Sequence, residues 1–180
     1  MSMISRDIPP HPDIDQQLGM LLSALDDGTR QWRIEFEELG ELSTDVIAWQ
    51  PFSNAHSIGG VMLHIIEVEK FWIHDVAQRE MINEEELNAL SANLTNVDDV
   101  AWPKPPEEPM AWYWDQFEQV RARSRDLIKT FTDPKAFVTM TSLNRQFSLR
   151  WIVHHVVAHE AYHGGQAVLL GLMHANLASK

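Results

Sequence analysis

Residues 148–174 read SLRWIVHHVVAHEAYHGGQAVLLGLMH and form one periodic stretch without proline. Ser148 is a residue type that favours the position before a helix, where its side-chain oxygen accepts a backbone N–H. Because proline, the strongest helix breaker, is absent from residues 149–174, we predict one helix from Leu149 to about His174. This helix carries five of the nine histidines of the chain.

Upstream of this helix, three further long stretches show helical periodicity, separated by proline and glycine. Gly40 suits the position just after the first helix, and Ser57 suits the cap of the second. A short extra helix and a proline-rich, non-helical connection are predicted at about residues 84–108. The predicted spans of the three long helices are residues 13–39, 58–79 and 109–131.

These amphipathic helices predict an all-α fold, an antiparallel four-helix bundle, because each apolar stripe has to be buried against a neighbour. Strand signals are almost lacking, and residues 137–141 are where a short extended piece is expected. Residues 41–56 are predicted to be a loop. We expect residues 1–180 to form a single domain.

Composition excludes several classes of function. The 180 residues contain no cysteine, so disulfides, thiolate zinc sites and cysteine nucleophiles are ruled out. Lys and Arg number 14 against 26 Asp and Glu, a net charge of −12 that repels nucleic-acid backbones. We find no apolar run long enough to cross a membrane and no signal-peptide core near the N-terminus. We therefore expect a cytoplasmic protein that binds neither nucleic acid nor membranes.

The histidines of the last predicted helix lie in one row, since His155, His159 and His163 are spaced at intervals of four. All three cannot bind one metal ion, because His155 and His163 are about 12 Å apart along the axis. A pair at i and i+4 can share an ion, but its third protein ligand has to come from another helix. His64, on the border of the second helix's apolar stripe, is the candidate.

Three neutral imidazoles with a remaining open position are typical of catalytic rather than structural metal sites. Taken singly, His64 also suits a hydrogen-bonded boundary residue, and the pair His159 and His163 also suits surface residues. The other histidines are expected to be structural or solvent-facing. Four tryptophans at helical spacing are expected in the core, namely Trp32, Trp72, Trp114 and Trp151. Two near the proline-rich connection, Trp102 and Trp112, are expected in a pocket wall.

With SIGGVMLH at residues 57–64 and HEAYHGGQ at residues 159–166, the chain resembles the DinB/YfiT-like family. The resemblance implies a four-helix bundle, commonly a homodimer, in which His64, His159 and His163 hold a divalent metal. Zinc and nickel rank ahead of manganese and iron. Related enzymes use a low-molecular-weight thiol such as bacillithiol, mycothiol or glutathione. Gly164 departs from the arginine often found there, which suggests a close helix approach or space for a substrate.

The resulting prediction is a metal-dependent thiol S-transferase or hydrolase of small molecules, in which the metal activates a bound thiol or water. Gln166 and Glu67, each about one turn beyond a predicted ligand, are candidate catalytic or ligand-orienting residues. Glu160 is expected to face away from the metal, as a dimer, cap or solvent residue. The alternatives are a non-catalytic metal-binding dimer or sensor and, through the Glu-x-x-His spacing of Glu160 and His163, a di-iron carboxylate bundle.

Overall fold

The computed structural model describes residues 7–92, 94–95 and 102–178, and these are mostly helical. The helices are α1 Gln16–Glu37, α2 Thr44–Ala48, α3 Ile58–Glu69, α4 Glu84–Ser91, α5 Met110–Ile128 and α6 Leu149–Ala178, and α3 continues into a π-helical segment, Lys70–Val76. The strands are β1 Met81–Ile82, β2 Phe137–Met140 and β3 Arg145–Ser148.

Side-chain caps begin several helices at or near the predicted residues. The hydroxyl of Ser57 accepts the backbone N–H of Gly60 at 3.2 Å, and that of Ser148 accepts from Trp151 at 3.3 Å. The first helix begins later than predicted, because Asp15 caps it. The short helix α2, capped by Ser43, lies where a loop was expected.

Contacts between α1 and α6 show that these two helices run in the same direction. Gln17 meets Arg150, and Trp32 meets Glu160. Farther along both helices, Leu39, just beyond α1, lies against Gly171. Helices α3 and α5 are also parallel, since Tyr113 lies against Gly59, Arg121 binds Glu69, and Ser124 bonds His74.

Helix α3 runs opposite to α6, because its early residue His64 meets His159 whereas its continuation at Trp72 meets His155. Helix α1 likewise opposes α5, because Asp26 bonds Arg125 whereas Trp32, later in α1, packs on Trp114, earlier in α5. This order differs from a bundle in which every neighbour is antiparallel. The connection between α3 and α5 is long enough for the chain to return to the end at which α3 begins, so α5 can run in the same direction as α3.

A buried polar layer separates two buried apolar clusters within the described residues. Representative members of one cluster are Leu22, Ile73, Ile128 and Val153, and of the other Trp32, Val61, Phe117 and Ala167. Between them, each long helix contributes a polar side chain to the interior, namely Thr29, Glu69, Arg121 and Glu160. The histidines discussed below lie on α3 and α6 close to this layer.

The strands form a small sheet in the order β1-β2-β3, with β1 parallel to β2 and β2 antiparallel to β3. Strand β2 matches the extended piece expected at residues 137–141, but β1 and β3 were not predicted. Ile82, Val138 and Met140 bury their side chains in one apolar cluster, so the sheet closes that end of the core. No helix in the described ranges combines the length and the apolar character that crossing a bilayer demands.

Candidate metal centre

Three histidines from two helices meet inside the protein, and we call them the histidine cluster: His64 on α3, with His159 and His163 on α6. Their candidate ligand atoms lie within 4.8 Å of one another, and Nε2 of His64 is 3.0 Å from Nε2 of His159. Two zinc–nitrogen bonds at a tetrahedral angle place their nitrogens about 3.3 Å apart. The His64–His159 pair is close to this value, so two of the three nitrogens lie at about the spacing of ligands to one divalent ion. Among the described residues, this is the one such group of potential ligands.

His155 belongs to the same helical row but not to the cluster. Its ring stacks on Trp151 with centroids 4.9 Å apart, and its centroid is 6.0 Å from that of His159. The ring also packs edge-on against Trp72. His155 therefore belongs to an aromatic stack. Its distance of about 12 Å along the helix from His163 explains why it is not part of the cluster.

The surroundings keep the cluster neutral at pH 7. Burial, followed by the charge of neighbouring histidines, lowers the pKa of His64 to about 4 and that of His159 to about 3. Burial also lowers the pKa of His163, which its bond to Gln166 partly offsets. Neutral imidazole is the form that binds metals, because protonation removes the lone pair. No carboxylate belongs to the cluster in the described part of the chain.

Gln166 orients one of these rings. Its Oε1 accepts a hydrogen bond from Nδ1 of His163 at 2.7 Å. With the proton held on Nδ1, the lone pair of His163 is on Nε2, the nitrogen left for a metal. A partner of this kind on the second nitrogen is typical of metal-binding histidines. The predicted position of Gln166, one turn beyond His163, thus places it in contact with the cluster.

His64 lies beneath two aromatic rings. Trp102 from the proline-rich connection packs against it with centroids 4.9 Å apart, and His56 in turn stacks on Trp102 at 3.7 Å. Nδ1 of His64 and Nε1 of Trp102 are both buried and have no hydrogen-bond partner among the described residues. The backbone of Thr95 lies close enough to offset part of this lowering of the His64 pKa, but outside hydrogen-bond geometry with Nδ1.

Glu67, predicted as a base or orienting residue, is half-buried and bonds the backbone instead. Its Oε2 accepts from the N–H of Thr95 at 3.2 Å, and burial raises its pKa. Because Thr95 also neighbours His64, this bond places the start of the connection beside the cluster.

The expectation that Glu160 is a dimer, cap or solvent residue is wrong, because the side chain is only 2% exposed. Its Oε1 accepts from Thr29 and from Nε1 of Trp32, and its Oε2 accepts from Arg121. Glu160 lies about 100° around α6 from His159 and therefore points toward α1 and α5. These two helices cover the side of α6 that would be exposed to water if the helix were alone. With both oxygens bonded, Glu160 is unavailable to a di-iron centre.

Arg121 is the centre of this buried layer and is 1% exposed. Its guanidinium donates from Nε and Nη2 to the two oxygens of Glu69, each at 2.9 Å, besides its bonds to Glu160, Thr29 and Asp26. Burial alone lowers the pKa of Arg121, but the charges of Glu69 and Glu160 outweigh burial and raise it. The ion pairs therefore join α1, α3, α5 and α6 directly beside the histidine cluster.

Gly164 permits the close approach of α6 to α1 that its position suggested. A Cβ added there would lie 2.9 Å from Cγ of Trp32, whereas one added at Gly165 would meet, beyond the nearby backbone of α6, no atom of the described residues within 4 Å. Glycine at 164 thus lets the indole of Trp32 lie against the helix backbone. Trp32 bonds Glu160 one turn earlier, so the two contacts together fix the rotation of α6.

Several roles were not predicted. His56 and His74 are half-buried rather than at the surface, since His56 stacks on Trp102 and Nε2 of His74 bonds Ser124 at 3.0 Å. Trp151, expected in the core, is an exposed large side chain. The sequence did contain a signal for the buried ion pairs. Glu69 follows Ile65 by four residues, and Arg121 follows Phe117 by four residues, so a charged residue lies within the apolar stripe of each helix.

Comparisons with known proteins place the chain in a family. The family described as Mycothiol-S-transferase matches residues 20–171, a range that includes all three histidines of the cluster. The family's name implies a small-molecule thiol as a substrate. A comparison with curated proteins gives no match. Because the match covers most of the sequence, the chain belongs to the mycothiol S-transferase family of DinB-like proteins.

Proposed function

We propose that this protein is a metal-dependent thiol S-transferase in which His64, His159 and His163 hold one divalent ion, zinc or nickel ahead of manganese or iron. The observation that supports it is the approach of three neutral imidazoles from two helices, with two Nε2 atoms 3.0 Å apart. A bound divalent ion would lower the pKa of a coordinated thiol, making thiolate available near neutral pH.

The chain's own residues supply position and surroundings. Gln166 holds the proton of His163 on Nδ1, which directs the other nitrogen to the ion. Trp102 covers His64 and keeps bulk water from that side. Because the protein has no cysteine, the reacting sulfur has to arrive with a thiol cosubstrate such as mycothiol, bacillithiol or glutathione. Glu67 is proposed to position Thr95 beside His64 rather than to act as a base.

The wider arrangement is also part of the proposal. We propose that α1, α3, α5 and α6 form a four-helix bundle in which α1 and α6 run one way and α3 and α5 the other. The pairings of Trp32 with Glu160 and of Asp26 with Arg125 support this order. A homodimer, a cytoplasmic location and a single domain remain predictions.

Elemental analysis beside a thiol-transfer assay tests the proposal. We expect one divalent ion per chain, its loss in His64→Ala, and its retention in His154→Ala, which removes an exposed histidine of α6. Each thiol would then be assayed with 1-chloro-2,4-dinitrobenzene, whose thioether product absorbs in the near ultraviolet. Thiol-dependent turnover that is lost with the metal supports the transferase.

Other results would favour the alternatives. Equal metal content in wild type and His64→Ala would contradict His64 as a ligand. Two irons per chain would indicate a di-iron protein instead. One bound ion without transfer from any thiol would favour a non-catalytic metal-binding protein or sensor, and activity on esters or amides without thiol would favour a hydrolase.

A further inference from the structure

We propose that a cavity beside the histidine cluster binds the apolar part of the electrophile to which the thiol is transferred, an inference that rests on the transferase function proposed above. The cavity, of about 340 Å³, lies between the residues that precede α3 and the second half of α6. A volume of this size is at the lower end of the range for small-molecule sites. It suits a group of about one or two rings.

The lining of the cavity indicates an uncharged ligand. Although 22% of the chain is charged, no Asp, Glu, Lys or Arg of the described residues lines this cavity. Phe52 and Leu169 are 72% and 55% exposed, so apolar surface faces solvent where a ligand would cover it. A thiol rich in polar and charged groups is less suited to such walls, in which the polar side chains of the described residues are Asn54, His56 and Gln166. The main apolar lining residues are Phe52, Leu169, Leu170 and Met173.

Two polar residues connect the cavity with the histidine cluster. Gln166 lines the cavity and bonds Nδ1 of His163 at 2.7 Å. His56 also lines it and stacks on Trp102, the ring that covers His64. An apolar group held here is therefore separated from His163 by one residue, Gln166, and from His64 by two, His56 and Trp102.

A larger cavity, of about 680 Å³, is less suited to this role. It lies between the beginnings of α1 and α6, and both Arg150 and His154 line it. Its wall residue Trp151 reaches His159 only through the ring of His155. A ligand there would be two side chains from the cluster, and beside a charged group.

Direct binding tests the cavity without relying on catalysis. The probe is N-phenyl-1-naphthylamine, a neutral fluorophore whose emission rises in apolar surroundings. Leu169→Asp places a carboxylate in the lining, which should weaken probe binding about 10-fold or more. The matched control is Leu172→Asp, at a position 46% exposed on the same helix and outside the lining. We expect the control to bind the probe as wild type does.

Steady-state kinetics then tests whether the cavity serves the reaction. With thiol saturating, Leu169→Asp should lower kcat/KM for 1-chloro-2,4-dinitrobenzene about 10-fold. It should leave the rate with iodoacetamide, a small polar electrophile, and the KM for thiol unchanged. An equal loss with both electrophiles would overturn the assignment, because it would indicate general damage.

The remaining outcomes separate this inference from the proposed function. Transfer that continues while wild type fails to bind the probe overturns the cavity but leaves the transferase intact. Probe binding without any thiol transfer overturns the transferase and the electrophile assignment with it. If Leu169→Asp instead converts a dimer to a monomer in light scattering, with probe binding unchanged, a second copy of the chain covers the cavity and the inference is wrong.

Discussion

Gly164 and Gly165 are adjacent in α6, yet alanine should have opposite effects at the two positions. In a helix interior, replacing glycine by alanine gains about 1 kcal/mol from propensity alone. Gly165 has open space around the site of a Cβ, so Gly165→Ala should raise the free energy of unfolding by about 1 kcal/mol. At Gly164, the gain is opposed by the contact with Trp32.

The magnitude at Gly164 depends on how firmly that indole is held. A new Cβ would lie 2.9 Å from Cγ of Trp32 and 3.0 Å from two further ring atoms. The ring is buried, bonds Glu160 through Nε1, and packs on Trp114 with centroids 4.7 Å apart. Overpacking costs about 1–3 kcal/mol, and the rigid surroundings favour the upper half. After the propensity gain, Gly164→Ala should be destabilised by about 1–2 kcal/mol.

Urea denaturation of the metal-free proteins measures both effects, with a chelator present because a bound ion would add its own stabilisation. The two variants should differ by about 2–3 kcal/mol, or roughly 4–12 °C in melting temperature for a chain of this length. Gly164→Ala should also weaken metal binding, since displacement of α6 from α1 moves His163. A Gly164→Ala protein as stable as Gly165→Ala would refute the close packing of Trp32.

The other predictions concern the buried polar groups. Glu160→Leu should lower the free energy of unfolding by about 3–5 kcal/mol, because Arg121 loses a buried partner; Glu160→Gln, which keeps an acceptor, should lose less in the same urea titration. Metal-free protein should lose stability from pH 7 to pH 5, since the lowered pKa values of His64 and His159 make the unfolded chain bind more protons below about pH 6.5. His159→Gln should flatten this dependence of the denaturation midpoint on pH. Gln166→Ala should weaken metal affinity about 10–100-fold with the unfolding energy little changed, and competition with a chelating dye would reveal an unaltered affinity if this reasoning is wrong.

Much of the local structure could be predicted because it depends on nearby residues. A serine hydroxyl reaches a backbone N–H three residues on, which is why Ser57 and Ser148 marked helix starts. Spacing by four placed His159 and His163 on one helical row. Only the family resemblance and an apolar-stripe position singled out His64, ninety-five residues earlier in the chain.

Only the tertiary structure decided the features that depend on how the helices pack together, namely helix direction, the contacts of Glu160 and the cavity. The direction of α5 relative to α3 is visible only in their contacts, such as those of Tyr113 with Gly59 and of Ser124 with His74, because helical periodicity is the same in either direction. Glu160 faces α1 and α5, so the side chain expected to be a dimer, cap or solvent residue is bonded to Arg121, thirty-nine residues away. The cavity beside Gln166 likewise needs residues from two distant segments. Capping and periodicity act within about one turn of a helix, whereas these contacts exist only after the chain has folded.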